Sequence, residues 1–228
     1  MNLSPYERVT FLGKTRSGKT FASRFMLRLA VPKVKRDGGR VYIVATKRVY
    51  PPDFRKEHFA PFSFSFHSNI RAATRAKTDV VVWQPNREEL LNGKIYFDAF
   101  YQWILERSEG RRGKPALVLT DEAVNVTEGA ANGGPVHFRL LYGQGGGMRV
   151  GAWSGQQDAS FIQRQMLSQA EHYFVFPLRM ATDRKKIGDI ADVKIPATYP
   201  DKRGFYYIGP EGTVYFRDIQ TAVGQKEV

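Results

Sequence analysis

The sequence predicts an α/β fold: one largely parallel β-sheet flanked by helices, with a β-hairpin near the C-terminus. Three observations predict it. Short β-like runs alternate with longer helical ones over most of the chain. The run Ala116-Leu117-Val118-Leu119-Thr120 is apolar, as a strand buried in the middle of a parallel sheet requires. A glycine-rich turn joins the first strand directly to an amphipathic helix.

In chain order, Arg8–Leu12 reads as a strand. From Lys19 to Ala30, Phe21, Ala22, Phe25, Met26, Leu29 and Ala30 fall at helical spacing, with Arg24 and Arg28 on another face. Strands follow at 41–45, after the turn Asp37-Gly38-Gly39, and at 79–83, ended by Pro85. Phe97, Phe100, Tyr101, Ile104 and Leu105 mark a helix that Gly110–Pro115 breaks. After strand 116–120 come a helix at 136–142, a strand at 150–154, a helix around 159–169 and a strand at 172–176. Residues 204–208 and 213–216, joined by Gly209-Pro210-Glu211-Gly212, read as the hairpin. No repeat or linker divides the chain, so we expect one domain over 1–228, with a core at about 8–190 and the hairpin as an appendage at about 196–218. The aromatic stretch 50–67, with Phe54, Phe59, Phe62, Phe64 and Phe66 beside Pro51, Pro52 and Pro61, has two readings. It is a packed connector, or an exposed apolar patch for a neighbouring subunit or a membrane protein.

The chain has 228 residues, 42% hydrophobic and 25% charged, which excludes collagen-like, coiled-coil and wholly disordered classes. No apolar run reaches the roughly 20 residues of a membrane helix, and the N-terminus lacks a signal-peptide core, so a non-secreted protein is expected. Cysteine is absent and the four histidines are scattered, which excludes disulfides and a zinc cluster. The net charge is +13, and 21 of the 35 basic residues are arginine. Residues 1–58 alone carry a net of +10. Such a chain meets polyanions, nucleic acid among them.

Gly13-Lys14-Thr15-Arg16-Ser17-Gly18-Lys19-Thr20 fits the P-loop pattern, with a strand before it and a helix after it. Its glycines let backbone N–H groups face phosphates at a helix N-terminus. Lys19 is placed to reach the β- and γ-phosphates of ATP, and Thr20 to ligate Mg²⁺. Asp121-Glu122 follows the apolar strand directly. Two adjacent carboxylates at a strand tip are costly without a cation; one suits Mg²⁺ and the other suits the proton of an attacking water. Strand 150–154 leads into Gly155-Gln156-Gln157-Asp158, and Gln156 is a candidate for hydrogen-bonding the γ-phosphate or the water.

These elements, in this order and over residues 8–217, resemble the FtsK–HerA superfamily, and most closely the genome-packaging ATPases of tailless icosahedral viruses with an internal membrane. Ile43-Val44-Ala45-Thr46-Lys47 and Phe176-Pro177-Leu178-Arg179 add to the match. The resemblance implies a P-loop NTPase (RecA/ASCE-like) fold and an ATP-driven motor that assembles as a ring of five or six subunits. It implies translocation of double-stranded DNA into a preformed capsid, and so a place in the host cytoplasm or at the packaging vertex of the virion. Lys19 and Thr20 would take the Walker A roles, Asp121 the Mg²⁺ role, Glu122 the catalytic base and Gln156 the sensor. Such rings complete each site with an arginine from the next subunit. Arg139 is the favoured position, with Arg149, Arg179 and Arg184 as alternatives.

Two glycine-rich stretches, 128–135 and 143–147, read either as loops that move with nucleotide state and touch DNA or as tolerant surface loops. Candidate phosphate-backbone contacts are the clusters Lys33, Lys35, Arg36, Arg40, Lys47, Arg48, Arg111, Arg112 and Lys114. Rival readings are another motor of the same superfamily, a small-molecule P-loop kinase whose lid would use Arg179, Arg184, Lys185 and Lys186, and a non-catalytic module that keeps a P-loop for assembly. The intact Asp121-Glu122 pair favours water as the acceptor.

Overall fold

Seven extended runs align in parallel. In the computed structural model, which describes residues 3–47, 52–127, 134–161 and 164–224, they are β1 (Arg8–Leu12), β2 (Arg40–Ala45), β3 (Phe64–His67), β4 (Val80–Trp83), β5 (Ala116–Asp121), β6 (Val150–Gln156) and β7 (His172–Val175). β8 (Phe205–Gly209) and β9 (Gly212–Phe216) form the antiparallel hairpin. Among the described residues they make one nine-stranded sheet in the order β3-β4-β2-β5-β6-β1-β7-β8-β9. The hairpin pairs with β7 through β8, so it extends the sheet.

Alternation along each strand divides the core between two faces. Val9, Phe11, Val41, Ile43, Leu117, Leu119 and Trp153 point to one face. They meet the buried stripe of α1 (Lys19–Arg36), the rings of Phe54 and Phe59, and α9 (Ile219–Gly224). Tyr42, Val44, Ala116, Val118, Val150 and Ala152 point to the other face. Here lie α2 (Ile70–Arg75), α4 (Gly93–Ser108), α6 (Val136–Gln144), α7 (Arg164–Ser168) and α8 (Ala181–Ala191). The short helices α3 (Arg87–Leu91) and α5 (Val124–Thr127) follow β4 and β5. Among the described residues no helix is long and apolar enough to cross a membrane.

Several expectations are corrected. Helix α1 runs on to Arg36 because Val31 and Val34 continue its buried stripe past Pro32. Phe21 and Leu29 lie off that stripe and are 43% and 48% exposed. Most of the aromatic stretch packs: Phe54 and Phe59 are core residues, Phe62 and Phe64 pack against them, and Phe64–His67 becomes the edge strand β3, on which Phe66 is exposed. Pro51 lies outside the described residues. Gly143–Gly147 is not a loop, since α6 reaches Gln144 and tightens into a short 3₁₀ turn over Gly145–Met148. In the other glycine-rich stretch, 128–133 lie outside the described residues. The helix expected around 159–169 is a 3₁₀ turn at Ala159–Phe161 and then α7, with 162 and 163 outside the described residues. β5 and β6 each outrun their expected ends, so Asp121 and Gln156 are themselves terminal strand residues.

Candidate active site

Parallel pairing brings the motifs to one edge of the sheet. Leu12 is opposite Gln156, Leu12 is also opposite Val175, and Ala45 is opposite Asp121. The residues that leave these strands, Gly13, Thr46, Glu122, Gln157 and Phe176, therefore emerge side by side at the C-terminal edge, where α/β sheets bind ligands.

The P-loop is tethered to its neighbours through backbone. The Gly13 N–H donates to Gln156 O at 3.1 Å, and the Lys14 N–H to Pro177 O at 2.9 Å. Gly13 has φ +154°, and a Cβ there would lie 2.5 Å from the Phe176 Cβ, so glycine is required. Gly18 caps α1 with no side-chain acceptor, which leaves first-turn N–H groups for an anion. The Ser17 hydroxyl is buried without a partner among the described residues. Lys19 is buried on α1. Burial pushes its ammonium below the ordinary lysine range, and Glu122 opposes this without reversing it. An orphaned hydroxyl, uncapped N–H groups and a desolvated ammonium fit a phosphate chain.

Asp121 and Glu122 are both buried. Burial pushes the Asp121 carboxyl up to about 6, with Lys47 opposing and Glu122 adding to the rise. Its Oδ1 faces Gly155, where a Cβ would stand 3.3 Å away. A hard carboxylate oxygen of this kind, with the hydroxyl of Thr20 in the first turn of α1, fits Mg²⁺, whose other ligands are phosphate oxygens and water. Among the described residues no group of three His, Asp or Glu side chains gathers as a self-sufficient metal cage.

Glu122 occupies a left-handed backbone conformation, φ +58°. That conformation costs a non-glycine residue about 1–2 kcal/mol and needs support from its surroundings. The support is visible. The Ala123 N–H donates to Gly155 O at 2.9 Å, and the Gln157 N–H to Glu122 Oε1 at 3.1 Å. Gln157 Nε2 donates to Glu122 Oε2 at 3.1 Å, while Gln157 Oε1 accepts from the Thr15 hydroxyl at 2.5 Å. Lys47 forms an ion pair with Glu122 Oε2. Burial works against the Lys47 charge, but Asp121 and Glu122 outweigh it and hold the ammonium above its ordinary range.

The structure thus brings Lys19, Asp121 and Glu122 together with Lys47 and Gln157. Gln156 is buried with its Nε2 3.4 Å from the Ser154 hydroxyl, on the face of β6 opposite Trp153 and α1. It is Gln157 that joins the P-loop to Glu122. Lys47, grouped with the DNA-facing clusters from sequence, belongs to the site. Arg48 lies outside the described residues. Lys33 and Lys35 are ion-paired with Asp37 and Asp79, and the Arg40 guanidinium donates to Ala76 O. With Arg36, Arg111, Arg112 and Lys114 they lie by the starts of β2 and β5, at the edge opposite the P-loop.

The candidate arginines are dispersed. Arg139 is half-buried on α6. Arg149 precedes β6 at the far edge, ion-paired with Asp37 and 5.4 Å from the Tyr6 ring centroid. Arg179 is exposed two residues after Pro177, which holds the P-loop, and Arg184 donates to Leu178 O at 3.5 Å.

No family model matches the sequence, and no curated protein does. Solved structures do match in fold. The DNA-packaging ATPase B204 of Sulfolobus turreted icosahedral virus gives a TM-score of 0.70 at 13% identity, covering 95% of this chain and 99% of that chain. The genome-packaging NTPase B204 of Sulfolobus turreted icosahedral virus 2, in complex with ATP-γS, gives 0.66 at 13% identity, covering 95% and 100%. The cytoplasmic domain of the type VII secretion ATPase EccC of Thermomonospora curvata gives 0.55 at 13% identity, covering 92% of this chain and 25% of that much longer chain. The chain is similar in fold, over nearly its whole length, to the packaging ATPases to which its motif order points.

Proposed function

We propose that this chain is a Mg²⁺-dependent ATPase that moves double-stranded DNA, packaging a viral genome into a preformed capsid as a homo-oligomeric ring. The observation that carries the hydrolytic part is the buried meeting of Lys19, at the start of α1, with Asp121 and Glu122 at the tip of β5. Support for the packaging part is the likeness in fold to proteins described as DNA-packaging ATPases, over 95% of this chain. The excess positive charge suits a partner contacted through phosphates alone.

In this reading the uncapped N-terminus of α1 and Lys19 hold the β- and γ-phosphates, and Thr20 and Asp121 hold Mg²⁺. The metal, when bound, neutralises charge that develops on the phosphate oxygens. Glu122 takes a proton from water as the water oxygen bonds to the γ-phosphorus. The bond from that phosphorus to the β–γ bridging oxygen breaks, giving ADP and phosphate. An arginine from the adjacent subunit, Arg139 in our assignment, supplies further positive charge to the transferring group.

The test is ATP turnover with and without long double-stranded DNA, at low and high salt, beside Glu122→Gln. We expect turnover to rise with DNA and that stimulation to fall with salt. Glu122→Gln should bind nucleotide yet turn over at least about a hundredfold more slowly, the usual contribution of a general base. Turnover indifferent to DNA but raised by a small phosphate acceptor would replace this reading with that of a kinase.

A further inference from the structure

Two turns meet at the edge of the sheet opposite the P-loop. One leads from α1 into β2 through Asp37-Gly38-Gly39, and the other leads from α4 into β5 over residues 109–115. They are joined through backbone: the Arg40 N–H donates to Pro115 O at 3.2 Å, and Arg40 lies opposite Ala116 in the sheet. The second turn is folded back onto the end of α4. The Gly113 N–H donates to Gly110 O at 3.0 Å, the Lys114 N–H to Arg107 O at 3.1 Å, and the Ser108 hydroxyl to Lys114 O at 2.8 Å. The approach is so close that a Cβ at Gly113 would lie 2.0 Å from Ser108 O. The backbone of this edge is therefore held in one shape.

Two acids at this edge are already engaged. Asp37 accepts from the Tyr6 hydroxyl and pairs with Lys33 and Arg149. Asp79 accepts from the Ser63 hydroxyl and pairs with Lys35. Arg36, Arg111, Arg112 and Lys114 are all exposed, and none of the four forms an ion pair among the described residues. Glu109 is the one acid of the second turn, against three cations. Exposed cations strung along a rigid edge make an extended surface, which suits a polymer of phosphates better than a small anion. None of the exposed large apolar side chains among the described residues lies on either turn, so nothing there would enter a bilayer.

Resting on the DNA-motor reading, we propose that these two turns form a cationic ridge, carried by Arg36, Arg111, Arg112 and Lys114, that holds the phosphate backbone of double-stranded DNA. Contact through phosphates accepts any sequence. Helix α1 carries the P-loop at its N-terminus and Arg36 at its C-terminus, and its 18 residues span about 27 Å. DNA and nucleotide then occupy opposite ends of one helix, and neither blocks the other.

The experiment is equilibrium binding of a labelled duplex of mixed sequence to the full chain over a range of salt. The variant Arg111→Ala/Arg112→Ala/Lys114→Ala is compared with Lys194→Ala/Lys202→Ala/Arg203→Ala, which removes equal charge from exposed residues between α8 and β8. The ridge variant is expected to weaken the duplex by at least about tenfold and to lower the slope of log affinity against log salt by about 2–3. The comparison variant is expected to stay within about threefold, the effect of net charge alone. ATPγS binding and thermal unfolding of both should match the unaltered chain, since all six side chains are exposed. Equal losses in the two variants, or no loss in the ridge variant, would overturn the proposal and leave only the general attraction of a basic protein. Loss of binding to anionic phospholipid vesicles in the ridge variant, with duplex binding intact, would overturn it in favour of a lipid surface. If the unaltered chain binds no duplex at any salt, the DNA-motor reading itself fails.

Discussion

Asp121→Asn should make the metal-free protein more stable while abolishing its chemistry. Asp121 is almost wholly buried, and burial lifts its carboxyl to about 6 from the ordinary 3.8. A folded-state value above the unfolded one means that folding favours the protonated form. Ionising Asp121 therefore costs stability, fully so above about pH 6 and not at all below about pH 4. A rise of that size corresponds to about 3 kcal/mol at neutral pH. The asparagine amide removes that cost but leaves its own polar atoms imperfectly paired, which returns about 1 kcal/mol. The net gain expected is about 1–2 kcal/mol at pH 7.5, or roughly 2–8 °C in Tm for a chain of this size. Urea unfolding in the presence of a chelator, at pH 7.5 and again at pH 4.5, measures it. The gain should be present at the higher pH and largely gone at the lower. Adding Mg²⁺ and ADP should then stabilise the unaltered protein and not the variant. A variant less stable than the parent at pH 7.5, or a difference indifferent to pH, would refute the claim that buried charge is what Asp121 costs the fold.

The same shift predicts that Mg²⁺-dependent nucleotide binding weakens by up to about tenfold per pH unit below about pH 6, because the proton then competes with the metal for Asp121; titrations at pH 7 and pH 5 check this. Gly13→Ala places a Cβ 2.5 Å from that of Phe176 and 2.8 Å from the Ser17 hydroxyl. It should cost about 1–3 kcal/mol by overpacking and backbone strain, and it should weaken nucleotide binding, read by urea unfolding and nucleotide titration. Glu89→Ala removes a buried acceptor of the Ile70 N–H at 2.7 Å, the Trp83 Nε1–H at 3.1 Å and the Asn86 N–H at 3.2 Å. Orphaning these donors should destabilise by about 2–4 kcal/mol while nucleotide affinity is unchanged, since the carboxylate is bonded to Trp83 on β4, and β2, β5 and β6 separate β4 from β1 in the sheet.

The elements legible in the sequence were those whose burial is nearly uniform. β2, β4 and β5 are buried along almost their whole length, so their apolar runs announce them. β3 was not legible because Phe64-Ser65-Phe66-His67 is a half-exposed edge strand set among aromatic residues that serve the core next to it. α8 was missed for a related reason. Its buried residues are Ile187 and Asp183, and a helix with so narrow an apolar contact has almost no periodicity to read. Asp183 Oδ1 accepts from both the N–H and the hydroxyl of Ser160, a pairing that no local pattern shows. Within the site, the P-loop and Asp121-Glu122 were legible because each is contiguous in sequence. Lys47 and Gln157 were not, because their importance lies in where neighbouring strands end.

Strand parity supplies the missing signal. Val41, Ile43 and Ala45 of β2 face α1, and Lys47 continues that alternation. Leu117 and Leu119 of β5 do the same and lead to Asp121. Trp153 of β6 faces α1 as well, so 155 and 157 follow it, while Val150 and Ala152 share the other face with Ser154 and Gln156. The residues of matching parity, Lys47, Asp121 and Gln157, are those that lie on the P-loop side. Gln156 is one residue out of phase and points to the opposite face, where its Nε2 lies 3.4 Å from the Ser154 hydroxyl and its Oε1 is buried without a partner among the described residues. Glu122 is also out of phase, and its left-handed backbone is the physical answer: at φ +58° the chain turns, and the side chain reaches Lys47 and Gln157 instead of the opposite face. The strain at Glu122 is thus the cost of placing two consecutive carboxylates on one side of a strand whose geometry would divide them, which makes the Asp-Glu pair an expensive arrangement to keep without a use for both.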